Sequence, residues 1–385
     1  MSKILVLGGC GAMGTESTRD LARTSDFSEI RVADIDKDKA SKLCQELGGG
    51  KLSAHSVDVS DENALVKLFE DVDIVLNCTS YRFGLEITRA AIAAKKPMLD
   101  LGGLYNTPKQ LAMSDQAKAA GATIVLGMGA TPGVTNLMGK QGVSRMESVD
   151  SIHVHFATYR RIAPSPGLVD TVLDEFSPST VRFFFEDGKF VEVPPFYGEK
   201  QVAFNAPVGK TSTWIVPHSE VHAFPRSFPG VKRVDVRGTW RPETMAILKH
   251  YNEVGLLGIE PVTVDGVAVK PKALLRQLHL DHDDPNDPLE YAFLVNVEVV
   301  GSRNGARVVA TYNLSHPPRS EWDMTCTAKV TGIPASIGAQ LLARGVSQPG
   351  VNTPEAVFEP EQMFRELAKR KILVDERVVE TRLYD

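Results

Sequence analysis

Three glycines near the start of the chain have the spacing of a phosphate-binding turn. Gly9, Gly11 and Gly14 form a G-x-G-x-x-G pattern between an apolar run at residues 4–7 and a predicted helix at residues 16–22. In such a turn, the first glycine permits the sharp bend, the second lets the backbone approach a pyrophosphate, and the third lets the helix pack against the strand. The N–H groups and the positive dipole end of the helix would bind the diphosphate. The pattern therefore predicts a dinucleotide site, with a glycine-rich turn that binds no ligand as the alternative.

Asp34 has the position of a ribose-binding acid. It stands 20 residues after Gly14, at the end of a strand predicted at residues 30–34. A dinucleotide fold places at this spacing the carboxylate that hydrogen-bonds the adenine ribose. A carboxylate there repels a 2′-phosphate, and no arginine follows at once, so the sequence predicts NAD rather than NADP. The alternative is a strand-end aspartate that caps the helix predicted at residues 37–47.

Small or polar residues also end the later strands predicted in this part of the chain. Asp58 and Val59 end the third strand, where Asp58 either contacts adenine or caps a turn. Thr79 follows a strongly apolar fourth strand, and the nicotinamide half of a dinucleotide binds outside the carboxyl ends of such strands. The residues predicted to bind the cofactor are Gly9, Gly11, Ala12, Met13, Gly14, Asp34, Asp58, Val59, Cys78, Thr79 and Gly102.

The composition is that of an average globular protein and excludes several other classes. The chain has 385 residues, of which 43% are hydrophobic and 24% charged, with a net charge of −5. This charge does not favour nucleic acid or anionic membranes as partners. No apolar run approaches the roughly 20 residues of a membrane span, and the first strand begins too early for a signal peptide. The four cysteines form no C-x-x-C pair, so we expect reduced thiols and a cytoplasmic protein.

Two patterns divide the chain. Over residues 1–135, continuous Val/Ile/Leu strands alternate with helices, which predicts an α/β fold with a Rossmann-type doubly wound parallel sheet, the dinucleotide-binding domain. From residue 149 the strands alternate polar and apolar residues, as half-exposed antiparallel strands do. Residues 136–330 are therefore predicted to form a second α+β domain with a mixed, largely antiparallel sheet. Within it, Asp187-Gly188 predicts a hairpin turn.

Several segments, in order along nearly the whole chain, resemble the saccharopine dehydrogenase-like family. They are TSY at residues 79–81, DLGG at 100–103, GATPGVTN at 129–136, TST at 211–213, RSFP at 226–229 and TGIPA at 331–335. Within this family the chain is most similar to the lysine 6-dehydrogenases. The resemblance implies that residues 331–385 form a helical segment that returns to the dinucleotide-binding domain. It also implies a homodimer built through the second domain.

The family resemblance implies oxidation of a C–N bond in an amino acid or related amine. In oxidative deamination of the lysine 6-dehydrogenase type, a hydride leaves the carbon that bears the amine, and the imine is then hydrolysed. The alternative within the family is a reductive condensation of an amine with an aldehyde or keto acid, which forms saccharopine or carboxynorspermidine. An alternative from another class is a non-catalytic module that senses dinucleotide.

Asp100, Tyr81 and Thr131 are the candidate catalytic residues. A substrate amine must lose a proton before hydride transfer, so we expect a base near the nicotinamide. Asp100 ends a strand beside that position and could accept a proton or hold an ammonium group, or else cap a turn. Tyr81 could exchange a proton through its hydroxyl or pack against the edge of the cofactor. Thr131 follows the next strand and is expected to face the same crevice.

The polar ends of the substrate are expected to bind mainly to the second domain. The predicted substrate-binding residues are Gly103, Thr211, Ser212 and Arg241, within a wider set that includes Lys210, His218, Arg237 and Trp240. An arginine can hold a carboxylate through two hydrogen bonds. At residues 240–244 the chain lacks the histidine that lysine 6-dehydrogenases carry there. The segment HLDHDDPNDP at residues 279–288 is predicted to be a solvated loop, and no metal site is expected.

Overall fold

The structure is a computed structural model that describes residues 2–103, 105–160, 162, 166–282, 291–322 and 326–382. Its strands, numbered along the chain, are β1 (Lys3–Leu7), β2 (Glu29–Asp34), β3 (Leu52–Ser56), β4 (Ile74–Asn77), β5 (Met98–Asp100), β6 (Thr123–Val125), β7 (Ser148–Tyr159), β8 (Arg182–Glu186), β9 (Lys189–Val193), β10 (Lys200–Ala203), β11 (Lys210–Ile215), β12 (Arg233–Trp240), β13 (Val262–Val264), β14 (Val267–Val269), β15 (Ala292–Arg303), β16 (Ala306–Ser315), β17 (Gly350–Asn352) and β18 (Leu373–Thr381). The helices are α1 (Ala12–Thr24), α2 (Lys37–Leu47), α3 (Glu62–Glu70), α4 (Gly84–Ala93), α5 (Thr107–Leu111), α6 (Ser114–Ala120), α7 (Val134–Val143), α8 (Pro166–Phe176), α9 (Glu220–Ser227), α10 (Pro242–Glu253), α11 (Pro271–Asp281), α12 (Arg319–Trp322), α13 (Cys326–Ala343), α14 (Pro354–Val357) and α15 (Pro360–Ala368), with a 3-10 helix at Tyr81–Phe83.

The first sheet is parallel throughout, which confirms the predicted Rossmann-type fold. Its strand order is β17-β6-β5-β4-β1-β2-β3. The apolar run of β1 is continuous because both faces of the sheet are covered. Ile4 and Val6 belong to one hydrophobic cluster, and Leu5 and Leu7 belong to another. Successive side chains of a strand point to opposite faces, so each residue of the run reaches a core.

The second sheet is mixed and largely antiparallel, as predicted. Its main order is β10-β11-β12-β7-β15-β16-β18; among these described strands β12 and β7 run parallel and the other neighbours run antiparallel, while β8 pairs with β12 and β9. The predicted hairpin turn is present between β8 and β9. Asp187 and Gly188 both have positive φ, 44° and 81°, as the favoured two-residue hairpin turn requires.

The C-terminal segment contributes to both domains. Helix α13 lies along α1, where Ser17 donates to the carbonyl of Gly332 at 2.9 Å and Ser336 donates to Asp20 at 2.6 Å. Strand β17 extends the parallel sheet beside β6. Strand β18 then pairs with β16 in the second sheet. Residues 331–385 are thus not purely helical, and their last strand lies on the second domain; the proposed domain limits stay a prediction.

No helix among the described residues is long and apolar enough to cross a membrane. None of the cysteines at positions 10, 44, 78 and 326 forms a disulfide.

Candidate functional site

The glycine turn leaves the start of α1 accessible to an anion. A Cβ added to Gly14 would lie 2.1 Å from the carbonyl oxygen of Gly8, and one on Gly9 would lie 2.6 Å from Val32. A Cβ on Gly11 would meet only the Gly8 oxygen, at 3.3 Å, so the outer side of this residue is open. Gly11 is also the N-cap of α1 and provides no side-chain cap, so the first N–H groups of the helix are available. These features fit a bound diphosphate.

Asp34 lies beside this turn and does not cap the following helix. Its carboxylate accepts a hydrogen bond from the backbone N–H of Cys10 at 3.2 Å. The cap of α2 is Asp36, which accepts from the N–H groups of Asp38 and Lys39 at 3.1 and 3.0 Å. The geometry therefore supports the ribose-binding alternative for Asp34, which stays a prediction.

The other predicted cofactor residues differ in their surroundings. The carboxylate of Asp58 accepts hydrogen bonds from the N–H and the hydroxyl of Ser60, at 2.9 and 2.7 Å, as a turn cap does. An adenine contact of Asp58 or Val59 stays a prediction. Cys78 and Thr79 lie against the glycine turn, since a Cβ on Gly8 would come within 2.9 Å of the Thr79 nitrogen.

A cavity of about 220 Å³ lies where the turn meets the second domain. On the dinucleotide-binding side it is lined by Met13, Tyr81, Leu101, Gly102, Gly103, Thr131 and Pro132. On the second-domain side it is lined by Phe156, Thr158, Arg160, Leu168, Thr171, Val172, Glu175, His218, Ser219, Trp240 and Phe293, and Thr327 and Thr331 of α13 complete it. From the predicted residues, the structure thus brings together Met13, Tyr81, Gly102, Gly103, Thr131, His218 and Trp240.

His218 and Glu220 form a hydrogen-bonded pair at this cavity. Nδ1 of His218 lies 2.5 Å from Oε2 of the fully buried Glu220, and the other carboxylate oxygen accepts from the hydroxyls of Thr131 and Thr135 at 2.7 and 2.8 Å. Burial lowers the pKa of His218, but the Glu220 carboxylate outweighs this effect and raises the pKa above its usual value. Glu220 orients the imidazole, which leaves Nε2 for proton exchange in the cavity.

Glu175, Trp240 and Arg160 form a second polar group at the same cavity. The indole N–H of Trp240 donates to Glu175 at 3.5 Å, and the guanidinium carbon of Arg160 lies 4.7 Å from the Trp240 ring centroid. Burial raises the pKa of Glu175 to about 7 and lowers that of Arg160 to about 10. The cavity therefore offers a permanent cation, an aromatic face and a carboxyl that titrates near neutrality.

Asp100 is buried and accepts hydrogen bonds from the loops beside the cavity. Its carboxylate accepts from the N–H groups of Gly102 and Gly127, at 2.8 and 2.7 Å, and from the side chain of Gln110 at 3.0 Å. Burial raises its pKa, and these hydrogen bonds oppose the effect. Asp100 is not among the residues that line the cavity. The geometry supports the turn-capping alternative, and the role of Asp100 as a base stays a prediction.

The hydroxyls of Tyr81 and Thr131 are both engaged as donors. Tyr81 donates to Asp174 at 3.0 Å, and burial together with the Asp174 charge raises its pKa. Thr131 donates to Glu220. Both residues line the cavity, and each donates its hydroxyl to a carboxylate of the second domain.

Three predicted substrate residues lie elsewhere. Thr211 accepts a hydrogen bond from Tyr159 at 3.1 Å, and Ser212 donates to Glu199 at 2.6 Å, both on the hairpin of β10 and β11. Arg241 is the N-cap residue of α10, where its Nε lies 3.3 Å from the Thr244 hydroxyl. The structure does not bring these residues to the cavity lining, so their substrate contacts stay predictions without geometric support.

Sequence reasoning missed Arg160, Glu175 and Glu220. The spacing of His218 and Glu220 at the start of a helix was an available signal, because a carboxylate two residues from a histidine can bind its ring. Arg160 and Glu175 carried no such signal, since they lie on separate elements. In the part of the chain that the structure describes, no group of three His, Cys, Asp or Glu residues could hold a metal ion. Residues 283–288 of the predicted solvated loop lie outside the described residues.

Comparison with known proteins covers both domains. Residues 4–125 match the family model described as the saccharopine dehydrogenase NADP binding domain, and residues 129–373 match the one described as the saccharopine dehydrogenase C-terminal domain. The carboxynorspermidine synthase of Vibrio cholerae is 25% identical over 378 residues, which cover 89% of each chain. The carboxyaminopropylagmatine dehydrogenase of Synechocystis sp. is 22% identical over 387 residues, which cover 96% of each chain.

A solved structure agrees with the fold. The apo saccharopine dehydrogenase (L-Glu forming) of Saccharomyces cerevisiae superposes with a TM-score of 0.76 at 16% identity, covering 98% of this chain and 100% of that chain. At this identity, the likeness shows the fold alone.

Proposed function

The chain belongs to the saccharopine dehydrogenase family, and from this premise we propose that it is a nicotinamide-dinucleotide-dependent oxidoreductase that acts on the C–N bond of a carboxyl-bearing amine. The observation that carries the proposal is the cavity itself. Met13 of the glycine turn and Gly102 of a strand-end loop face Arg160, Glu175 and His218 of the second domain across it. In this proposal, the nicotinamide end of the dinucleotide lies next to charged groups that can bind the carboxylate and the amine of an amino acid.

The charges of the cavity support a zwitterionic substrate. Arg160 stays protonated at neutral pH, because its pKa of about 10 is still well above 7, and it can bind a carboxylate. The carboxylate of Glu175 can hold an ammonium group. Two relatives carry names that describe carboxyl-bearing amines, carboxynorspermidine and carboxyaminopropylagmatine. These observations together favour an amine that also carries a carboxyl group.

The dinucleotide would be held by the glycine turn, the start of α1 and Asp34, and when bound it supplies the hydride acceptor or donor. The chain's own residues orient the substrate and manage its proton. Nε2 of His218 accepts a proton from the substrate nitrogen, or returns one in the reverse direction. Glu220 stabilises the imidazolium that forms, and the hydroxyls of Thr131 and Thr135 hold Glu220 in place.

Two reactions fit this site, and we favour the one that forms or cleaves a secondary amine. The names of the two relatives support it, because both denote substituted polyamines. Oxidative deamination of the lysine 6-dehydrogenase type, which the segment pattern favours, is the second candidate. Product analysis separates them. Ammonia and an aldehyde indicate deamination, while a secondary amine formed from an amine, an aldehyde or keto acid, and NADH or NADPH indicates condensation.

The experiment is a panel of amines and amino acids, alone and paired with aldehydes or keto acids, followed by the absorbance of NADH and NADPH. We expect turnover with at least one carboxyl-bearing substrate and none with its decarboxylated analogue. Turnover restricted to carboxyl-free amines would contradict the role of Arg160. Tight dinucleotide binding without turnover across the panel would favour the sensing module.

We propose NAD as the preferred cofactor, on the strength of Asp34. Its carboxylate lies next to the turn and repels a 2′-phosphate, although the matching family model is named for NADP binding. Replacing Asp34 with arginine should weaken NADH binding by about tenfold and improve NADPH binding, each tenfold change being about 1.4 kcal/mol. Fluorescence titration of both cofactors tests this, with Asp38→Arg on the exposed side of α2 as the control. An unchanged preference would show that Asp34 does not contact the ribose.

A homodimer built through the second domain and a cytoplasmic location are proposals that rest on the family resemblance. Size-exclusion chromatography with light scattering tests the first. Fractionation of the source cells tests the second.

A further inference from the structure

Helix α8 contacts the dinucleotide-binding domain through two aspartates one helical turn apart. Asp174 accepts a hydrogen bond from the Tyr81 hydroxyl at 3.0 Å. Asp170 forms an ion pair with Arg82 at 3.4 Å. Tyr81 and Arg82 begin the 3-10 helix that follows β4, so both contacts join the same turn to the same helix.

Helix α11 binds the same two aspartates from the second domain. Lys272 donates to Asp174 at 2.6 Å, and Arg276 donates to Asp170 at 2.5 Å. Lys272 and Arg276 are four residues apart, as are the two aspartates, so each pair lies along one face of its helix. The Asp170 and Asp174 side chains are only 14% and 18% exposed, so solvent screens these ion pairs less than it screens surface pairs.

These contacts lie directly behind the wall of the cavity. Thr171, Val172 and Glu175 of α8 line the cavity, and Tyr81 lines it from the opposite domain. Asp174 precedes Glu175 in the chain and holds the hydroxyl of Tyr81. A movement of α8 away from the 3-10 helix would therefore separate two walls of the same cavity.

We propose that Asp174 is a positioning residue, which together with Lys272 fixes Tyr81 and holds α8 closed over the cavity. The contacts form one unit, which we term the α8 clasp and which consists of Tyr81, Arg82, Asp170, Asp174, Lys272 and Arg276. The named contacts of the clasp are ion pairs and hydrogen bonds. Separating Tyr81 and Arg82 from the two aspartates exposes polar groups that water can solvate, which lowers the cost of opening the cavity for exchange of cofactor and substrate. This inference rests on the proposed function only in taking the cavity as the site of reaction.

The first test is hydrogen–deuterium exchange of the full-length protein. In Asp174→Asn, amide exchange should rise by at least about threefold in α8 and in Tyr81–Phe83, with other segments unchanged. The control is Glu361→Gln, which removes one carboxylate charge from the exposed pair of Glu361 with Arg365 on α15. Exchange that rises throughout the protein, or not at all, would overturn the proposal. If Asp174→Asn does not fold, Lys272→Met takes its place, since it removes the ion pair that holds Asp174 from α11 and keeps the Asp174 side chain.

The second test is a double-mutant cycle between Tyr81 and Lys272, which lie on different domains and share Asp174. The release rate of NADH, measured by stopped-flow fluorescence, should rise in Tyr81→Phe and in Lys272→Met. In the double variant the effects should fall short of additivity, because either change alone already loosens Asp174. Additive effects would show that the two residues act separately and would contradict the clasp.

The two readouts separate this inference from the proposed function. Exchange and the release of NADH need no substrate, so local opening with no turnover on any amine would leave the clasp standing and remove the proposed reaction. Turnover on an amine, together with unchanged amide exchange in Asp174→Asn, would support the proposed reaction and contradict the clasp.

Discussion

Glu175 and His218 are two cavity residues whose ionisation depends on the fold. Burial raises the pKa of Glu175 to about 7, and the charge of His218 partly opposes this. Burial lowers the pKa of His218, while Glu220 and Glu175 raise it to a value above 6.5. Glu175 can therefore change protonation near neutral pH, and the raised pKa of His218 favours its protonated form.

Replacing His218 with glutamine should lower kcat by about 10²- to 10⁴-fold, the usual contribution of a general base. The NADH dissociation constant should change little, because the glycine turn is unaffected. His250→Gln on the exposed face of α10 is the matched control. Steady-state kinetics with the substrate found in the panel measure the effect, and a kcat within threefold of wild type would exclude His218 as the base.

Glu175→Gln should stabilise the protein at alkaline pH. The folded-state pKa of Glu175, about 7, exceeds its usual value of 4.5, so the folded state binds more protons than the unfolded state between these values. Stability from this group is present below pH 4.5 and is lost as pH rises through 7. The variant should therefore gain free energy of unfolding relative to wild type above pH 7, by at most about 3 kcal/mol, and little at pH 5. Thermal denaturation at both pH values measures this, and an equal gain at pH 5 and 9 would contradict the assignment.

At the scale of elements, different glycines of the turn are needed for folding and for ligand binding. Gly14 is required by packing, because its Cα faces the carbonyl oxygen of Gly8. Gly11 has φ −68° and ψ 166°, which any residue adopts, and its outer side is open. Gly14 is thus needed for the fold of the turn, and Gly11 leaves room for a ligand.

This difference predicts opposite outcomes for two substitutions in one turn. Gly11→Val should leave the melting temperature nearly unchanged but weaken NADH binding by on the order of 100-fold, because the added methyl groups occupy the approach of the pyrophosphate. Gly14→Ala should lower the free energy of unfolding by roughly 1–3 kcal/mol through overpacking. Calorimetry and NADH titration of both variants test the pair. Equal loss of stability in the two would contradict the proposed division of roles.

At the scale of the whole molecule, the two domains are interlocked by the C-terminal segment. Helix α13 packs against α1, β17 completes one edge of the parallel sheet, and β18 ends the chain in the other sheet. The dinucleotide-binding domain is therefore built from two distant parts of the sequence.

Residues 1–135 expressed alone should not fold to a state that binds NADH, because they lack α13 and β17 and expose the apolar surfaces that these elements cover. Circular dichroism and NADH fluorescence of the fragment test this against the full-length chain. A cooperatively folded fragment with wild-type affinity for NADH would show that the C-terminal segment is dispensable.

The sequence by itself determined what depends on local patterns. Spacing and periodicity identified the glycine turn of Gly9, Gly11 and Gly14, the strands that carry the parallel sheet, and the Asp187-Gly188 hairpin, because each is set by residues close together in the chain. Asp34 was placed beside the turn for the same reason, since the strand–helix–strand unit fixes its distance.

Only the tertiary structure decided which side chains share the cavity. Arg160, Glu175 and His218 come from three different parts of the second domain, and no spacing in the sequence relates them. Asp100 shows the same dependence. A carboxylate at the end of a strand can act in catalysis or cap a turn, and its role depends on which hydrogen-bond donors the fold places beside it. A pattern along the chain records the period of an element, while a site depends on contacts between elements far apart in sequence, and these form only when the sheets are assembled.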